Sequence, residues 1–169
     1  MKDVSLFIIA KNEGDKLKAC IESAKVVCSE VIVCDSGSTD DTVKIAEEMG
    51  AKVVQHDFIG FADQKNFALS QCSGKWALSL DADEVLTKEL AEEIADLPDD
   101  TEFNGFDIHR VNYFLGGRMN HSGLNNEYIL RLIRIGSGKY RDVLVHEGLE
   151  ISGKIGRLKM KCCIIPMQI

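Results

Sequence analysis

The chain has only two prolines in 169 residues, no low-complexity tract and no compositional break that would mark a linker. One folded domain is expected, long enough to bury a real core. No apolar run approaches the ~18 residues of a spanning helix. The first apolar run, Val4 to Ala10, is bracketed by Asp3 and Lys11, which is not a signal-peptide layout. Positive charge is in deficit, with 20 Lys and Arg against 27 Asp and Glu and a net charge of −7. A nucleic-acid partner needs a basic footprint and is therefore disfavoured, although many of the basic residues fall after Arg110. Six cysteines (Cys20, Cys28, Cys34, Cys72, Cys162, Cys163) contain no C-x-x-C and no regular spacing, so no disulfide framework is expected. The first four read as small buried residues. No G-x-G-x-x-G and no Walker A follow the first apolar run, which disfavours dinucleotide and P-loop chemistry. The expected location is the cytoplasm, with peripheral contact at the cytoplasmic face of a membrane left open.

What is present is an alternation of strand and helix signals over the first 97 residues, the pattern of an α/β domain with a mostly parallel sheet. Nearly continuous apolar runs at 4–10, 30–35, 51–56 and 75–81 predict strands covered on both faces. Between them, Leu17, Cys20, Ile21, Ala24 and Val27 keep helical spacing, as do Val43, Ala46 and Met49 before Gly50. Phe67, Ala68, Leu69 and Cys72 precede Gly74, and Thr87 can cap a helix carrying Leu90, Ile94 and Leu97 that stops at Pro98. Four such units leave four strand ends facing one crevice, where open parallel sheets bind ligands.

Those strand ends carry polar residues. Ala10-Lys11-Asn12-Glu13 follows the first strand, and Asp35-Ser36-Gly37-Ser38-Thr39-Asp40-Asp41-Thr42 follows the second, with Ser38 or Asp40 expected to cap the next helix. After the fourth comes Leu80-Asp81-Ala82-Asp83-Glu84. If the strand runs through this Asp-x-Asp, both carboxylates point the same way. Such a pair repels itself unless a cation lies between, and hard oxygen ligands favour Mg²⁺ or Mn²⁺. A strand end entering a helix cap would explain the same residues without a metal.

The series Ala-Lys-Asn-Glu, Val-Ile-Val-Cys-Asp-Ser-Gly-Ser-Thr-Asp-Asp-Thr, Phe-Ala-Asp-Gln-Lys-Asn-Phe-Ala-Leu and Leu-Asp-Ala-Asp-Glu resembles the nucleotide-sugar half of family 2 glycosyltransferases, which have the GT-A fold. The later segments Asn112-Tyr113-Phe114-Leu115-Gly116-Gly117-Arg118, Arg131-Leu132-Ile133-Arg134 and Val145-His146-Glu147 are similar to the lipopolysaccharide-core UDP-glucose β-1,4-glucosyltransferase branch. The resemblance implies a three-layer α/β/α GT-A domain, with 1–97 as the nucleotide-binding half and 98–158 as the acceptor-side half. It implies an inverting, metal-dependent transfer of a hexose, glucose by this branch, from a UDP-sugar to a saccharide or lipid-linked saccharide acceptor in lipopolysaccharide or cell-surface glycan assembly. Lys11, Asn12, Glu13 and Asp35 would surround uracil and ribose, Asp35 facing the uracil imide. Lys65 and Asn66 would lie beside the nucleotide. Asp81 and Asp83 would bind ribose and a Mn²⁺ or Mg²⁺ ion on the diphosphate, with His146 as a further ligand or as a group that orients Glu147.

The chemistry agrees: a departing nucleoside diphosphate gathers negative charge that a divalent cation and an Arg or Lys stabilise. Arg131 or Arg134 suits that role, but three apart on a strand they face opposite sides, so at most one is expected at the phosphate. Inversion also needs a carboxylate to take the acceptor's proton, and Glu127 and Glu147 are the candidates, with Glu127 favoured by the resemblance, since family 2 relatives carry an acid just before the arginine strand. Either could instead only pair with Arg131, Arg134 or Arg141.

The chain's end departs from the resemblance, because relatives continue past Val-His-Glu with a Leu-x-His-Tyr-like segment and a basic aromatic tail. The possible codons for the last residues, read two bases later, contain a likeness of Leu-His-Tyr-Thr-Tyr. A frameshift near Leu158 would account for this and for the Cys162-Cys163 pair. The corresponding rival is a shortened nucleotide-sugar-binding remnant without turnover. A sugar-phosphate nucleotidyltransferase would need a Gly-rich, basic signature that residues 10–14 lack, and a haloacid-dehalogenase phosphatase would carry its D-x-D at the first strand.

Overall fold

The computed structural model describes residues 3–111, 113–114, 117–118, 127–142 and 147–164. Four β-α units come first: β1 (Val4–Ala10), α1 (Gly14–Ala24), β2 (Glu30–Asp35), α2 (Thr42–Glu48), β3 (Lys52–Gln55), α3 (Phe61–Ser70), β4 (Trp76–Ser79), then a short β5 (Glu84–Leu86) and α4 (Lys88–Ala95). Strands β6 (Phe103–Val111), β7 (Tyr113–Phe114), β8 (Gly117–Arg118), β9 (Glu127–Arg134), β10 (Gly138–Asp142), β11 (Glu147–Ile151) and β12 (Lys154–Ile164) complete the described chain.

Eight strands form one sheet in the order β3-β2-β1-β4-β9-β6-β12-β5. The β1–β2, β2–β3, β1–β4 and β6–β12 pairings are parallel, and the other three are antiparallel. Alternation along β1 divides the core. Val4, Leu6, Ile8 and Ala10 pack with Leu17, Cys20 and Ile21 of α1 and with Leu90 and Ile94 of α4. Phe7 joins Ile32, Ala77 and Ile133 against Ala62, Ala68 and Leu69 of α3 and Tyr140 of β10. This is the three-layer α/β/α arrangement expected, and the continuous apolar runs are its doubly covered strands.

The chain leaves β1 toward β2 and β3 and then returns to the opposite side of β1 with β4. The loops after β1 and β4 therefore diverge from neighbouring strand ends, which opens the crevice. Thr87 caps α4 as expected, accepting a 3.2 Å bond from the Leu90 amide, and its hydroxyl donates to the Lys161 carbonyl in β12. Ser38 does not cap α2. Asp40 accepts from the Thr42 amide at 3.0 Å instead, because the Ser38 hydroxyl is turned back onto Asp35.

Strand β12 runs past Leu158 with a register irregularity against β6 between Arg157 and Lys161, after which the pairing resumes. Cys162 and Cys163 lie opposite Arg110 and Val111 of β6 and opposite Leu86 and Val85 of β5. Cys162 is fully buried, and burial pushes its thiol up to about 12, as it does for Cys28. Both are inert packing residues at neutral pH.

Candidate functional site

Fourth-strand geometry corrects one expectation. β4 ends at Ser79, so Asp81 and Asp83 are not on a strand, and strand alternation does not set their direction. They stand in a turn closed by the Glu84 amide donating to the Asp81 carbonyl at 2.9 Å. The turn nevertheless brings both carboxylates to the wall of a cavity of about 580 Å³ at the ends of β1 and β4, together with Lys11, Glu13 and Lys65.

Loops after β1 and β2 are stitched together on one side of this cavity. The Asn12 amide donates to Ser38 Oγ at 2.9 Å, and Asn12 Oδ1 accepts from the Thr39 amide at 2.8 Å. Asn12 does this at φ 57, a left-handed conformation that asparagine tolerates. The Glu13 amide donates to Thr42 Oγ1 at 2.8 Å, while the Glu13 carboxylate pairs with Lys16 at 2.9 Å. Gly14 approaches so closely that a Cβ would meet the Thr42 amide nitrogen at 3.3 Å. Asp35 is buried under this seam, its Oδ2 accepting from the Gly37 and Ser38 amides and its Oδ1 from the Ser38 hydroxyl. Its first task is to shape the Ser36–Ser38 turn, which places Ser36 on the cavity wall.

Adjacent residues Lys65 and Asn66 part company, as a helix dictates at about 100° per residue. Lys65 is buried, its Nζ 3.4 Å from Asp81 Oδ1 and 5.5 Å from the Tyr140 ring centroid. Asn66 faces β10, donating to the Tyr140 carbonyl at 2.9 Å and accepting from the Tyr140 amide at 2.8 Å. Asn66 is thus a clamp on β10 and lines neither this cavity nor the next, contrary to the expectation that it flanks the nucleotide.

Arg131 and Arg134 do face opposite sides. Arg134 stacks on Trp76 at 4.6 Å and donates to Asn104 Oδ1 and the Thr101 carbonyl, so it belongs to the core end of β4. Arg131 is 4% exposed and reaches Asp81 Oδ2 at 2.7 Å and Glu84 Oε1 at 2.6 Å. Burial opposes ionisation of Asp81, but Arg131 and Lys65 outweigh it and hold the carboxyl well below the usual carboxylate range. Asp83 is raised, by partial burial first and by the Asp81 charge second, with Lys16 opposing.

The two aspartates therefore affect stability in opposite senses. Asp81 contributes stability above the ordinary carboxyl pKa of about 3.9 that is lost as the pH falls. Asp83 costs stability as the pH rises through its raised value. Asp83→Asn should accordingly leave the ligand-free melting temperature equal or higher at pH 7, with any gain vanishing toward pH 4. Melts at the two pH values check this, and a large loss at pH 7 would make Asp83 a structural cap.

A second cavity of about 340 Å³ meets the first at Lys65 and Asp81 and is lined also by Arg110, Glu127, Tyr128 and Arg131. Glu127 is half-exposed there, its partner Arg110 at 2.5 Å rather than Arg131, Arg134 or Arg141. Arg141 pairs with Glu150. Glu147 opens β11 opposite Asp142, but its side chain and all of His146 lie outside the described residues.

Among the described residues no group of three or more His, Cys, Asp or Glu could hold a metal ion. Both Asp81 oxygens already face cations. With Glu13, the other carboxylate on the cavity, paired to Lys16, Asp83 is left as the carboxylate for an ion, which fits Mg²⁺ or Mn²⁺ in the mode where one or two carboxylates are completed by phosphate oxygens and water.

Sequence reasoning missed Glu84, Arg110 and the aromatic edge formed by Phe58 and Phe61, whose rings meet at 5.0 Å on the first cavity. Glu84 could have been found as a third acid directly after the Asp-x-Asp. Arg110 could not, because only strand register places it opposite Glu127.

A family model described as glycosyl transferase family 2 matches residues 5–157. An uncharacterized glycosyltransferase of Rickettsia felis is 52% identical over 94 residues, 56% of this chain and 33% of that protein. The lipopolysaccharide core biosynthesis glycosyltransferase LpsC of Rhizobium meliloti is 36% identical over 163 residues, 92% of this chain and 60% of LpsC. The chain thus spans from a third to three-fifths of these relatives' lengths. Among solved structures, S. aureus TarS 1–349 superposes with a TM-score of 0.72 at 19% identity, covering 98% of this chain and 60% of that one. Its complex with UDP-GlcNAc gives 0.59 at 26% identity, with 73% and 36% covered. Glucosyl-3-phosphoglycerate synthase of Mycobacterium tuberculosis, in complex with Mn²⁺, UDP and glucosyl-3-phosphoglycerate, gives 0.53 at 25% identity, with 69% and 45% covered.

Proposed function

The chain belongs to glycosyl transferase family 2, and on that premise we propose that it moves a hexose, glucose in the first instance, from a UDP-sugar to a saccharide acceptor of lipopolysaccharide or cell-surface glycan assembly, with inversion at the anomeric carbon. The observation that carries the reading is the meeting of two cavities at Lys65 and Asp81: one is floored by the strand-end loops and the other holds Glu127. A donor in the first and an acceptor in the second would bring the reacting atoms to the shared wall. UDP as nucleotide is supported by the UDP complexes of TarS and the mycobacterial synthase, and the acceptor class by LpsC.

In this mechanism Lys11, Glu13 and the Ser36–Ser38 turn, braced by Asn12 and Asp35, embrace the nucleoside, with Phe58 and Phe61 as its apolar edge. Asp83 would hold the divalent ion, which when bound supplies positive charge against the diphosphate. Lys65 and Arg131 add fixed positive charge beside the same leaving group. Glu127 accepts the proton of the acceptor hydroxyl as that oxygen bonds to the anomeric carbon and the bond to the diphosphate breaks, UDP leaving with the electron pair. Glu147, with His146 beside it, is the alternative base. No helix among the described residues is long and apolar enough to cross a membrane. We place the protein in the cytoplasm, meeting a lipid-linked acceptor at the membrane face.

A thermal-shift panel of nucleoside diphosphates tests the donor assignment, since a ligand at 100 times its Kd adds about 2.7 kcal/mol. UDP with Mn²⁺ or Mg²⁺ should give the largest shift and GDP a small one, and Asp83→Asn should remove the metal-dependent part. Preference for GDP or CMP would overturn the base assignment. Release of UDP from UDP-glucose on adding delipidated lipopolysaccharide core oligosaccharide tests transfer, and its absence under saturating donor would count against this acceptor class.

A further inference from the structure

Glu127 is reached from the Asp81–Glu84 turn through a chain of alternating charges. Glu84 is fully buried, its Oε2 accepting from the Asp81 amide at 3.0 Å and its Oε1 facing two guanidiniums, Arg131 at 2.6 Å and Arg110 at 3.6 Å. Arg110 then reaches Glu127 Oε2 at 2.5 Å. Strand register makes that last pair a direct cross-strand one, Arg110 of β6 opposite Glu127 of β9. A glutamate at a strand end, 45% exposed, would otherwise sample several rotamers. Here a guanidinium anchored on an immobile carboxylate selects one of them, at the edge of the second cavity.

We infer that Arg110, held by Glu84, is a positioning residue that fixes the Glu127 carboxylate relative to the donor turn. The inference rests on the reading of Glu127 as base, because positioning matters only if that carboxylate reacts. It gives the buried Glu84 a task beyond neutralising Arg131: the turn that carries Asp81 and Asp83 and the carboxylate across the second cavity share one rigid anchor. Donor and base are then held in register by two ion-pair steps, Glu84 to Arg110 and Arg110 to Glu127, rather than by the backbone alone, whose route from residue 84 to residue 127 is long.

The test is a cycle of Arg110→Met, Glu127→Gln and the double variant, with Arg110→Lys as the conservative control. Arg110→Met should lower kcat by about 10- to 100-fold, the cost of an ångström-scale misplacement, with KM for UDP-glucose and UDP affinity unchanged. Arg110→Lys should recover part of the loss, since it keeps the charge but not the planar fork. In the Glu127→Gln background, Arg110→Met should change turnover less than about threefold, because the group it positions is gone. Full multiplication of the two effects would show that Arg110 acts on its own and overturn the inference while leaving the base reading intact. Wild-type turnover in Glu127→Gln would instead overturn the base reading. Crystal structures of Arg110→Met and Arg110→Lys with UDP decide the geometric claim without turnover. The Glu127 carboxylate should be displaced or spread over several positions in Arg110→Met, and finding it in its original place would sink the proposal.

Discussion

Glu127→Gln is expected to reduce sugar transfer by about 10²- to 10⁴-fold, the range for losing a general base, while UDP binds within about twofold of the parent affinity. The amide keeps the shape of the side chain but cannot take a proton. The residue lies on the second cavity, apart from the loops after β1 and β2 that line the first. Stability should hardly change, because the lost ion pair with Arg110 is half-exposed at Glu127 and such pairs are worth ~0–1 kcal/mol. Steady-state transfer to an oligosaccharide acceptor, UDP titration and urea unfolding measure the three quantities. If Glu127→Gln turns over like the parent, the proton goes elsewhere, and Glu147→Gln becomes the variant to compare.

The largest effect on folding should come from Arg131→Met, about 3–5 kcal/mol by urea unfolding, the usual consequence of removing one partner of a buried ion pair. Arg131 is buried against Glu84, itself fully buried, and against Asp81. Without the guanidinium, the remaining cationic partners among the described residues are Arg110, 3.6 Å from Glu84, and Lys65, 3.4 Å from Asp81, and the Asp81 amide still donates to Glu84. Burial already pushes the Glu84 carboxyl up despite Arg131, so the variant should be least stable at neutral pH and recover part of its loss as the pH falls and Glu84 takes a proton. Arg134→Met is the comparison from the same strand, losing a stack on Trp76 and bonds to Asn104 and Thr101 but stranding no buried charge. Its cost should be smaller, about 1–2 kcal/mol. Equal losses from the two substitutions would mean that the Asp81–Arg131–Glu84 cluster is not the keystone its burial implies.

Sequence by itself determined the β-α order, because short apolar runs without alternation, bounded by turn residues and separated by segments of 3.6-residue spacing, match strands covered on both faces by helices. It set β1 and β2 to the residue, and it identified Thr87 as the α4 cap from residue chemistry alone. It also placed Arg131 and Arg134 on opposite sides of their strand, since two-residue alternation is a local property, while their partners showed which of them faces the site. Tertiary structure decided what depends on partners far along the chain. Asp81 and Asp83 share a cavity through a turn rather than a strand, and Asn66 serves β10 because helix geometry turns it away from its neighbour Lys65. Glu127 meets Arg110 because β6 and β9 pair in that register, and β12 threads Cys162 into the core between β6 and β5. Residue pattern fixes which side of an element is apolar; which charges meet at the ends of those elements follows only when the strands have chosen their neighbours.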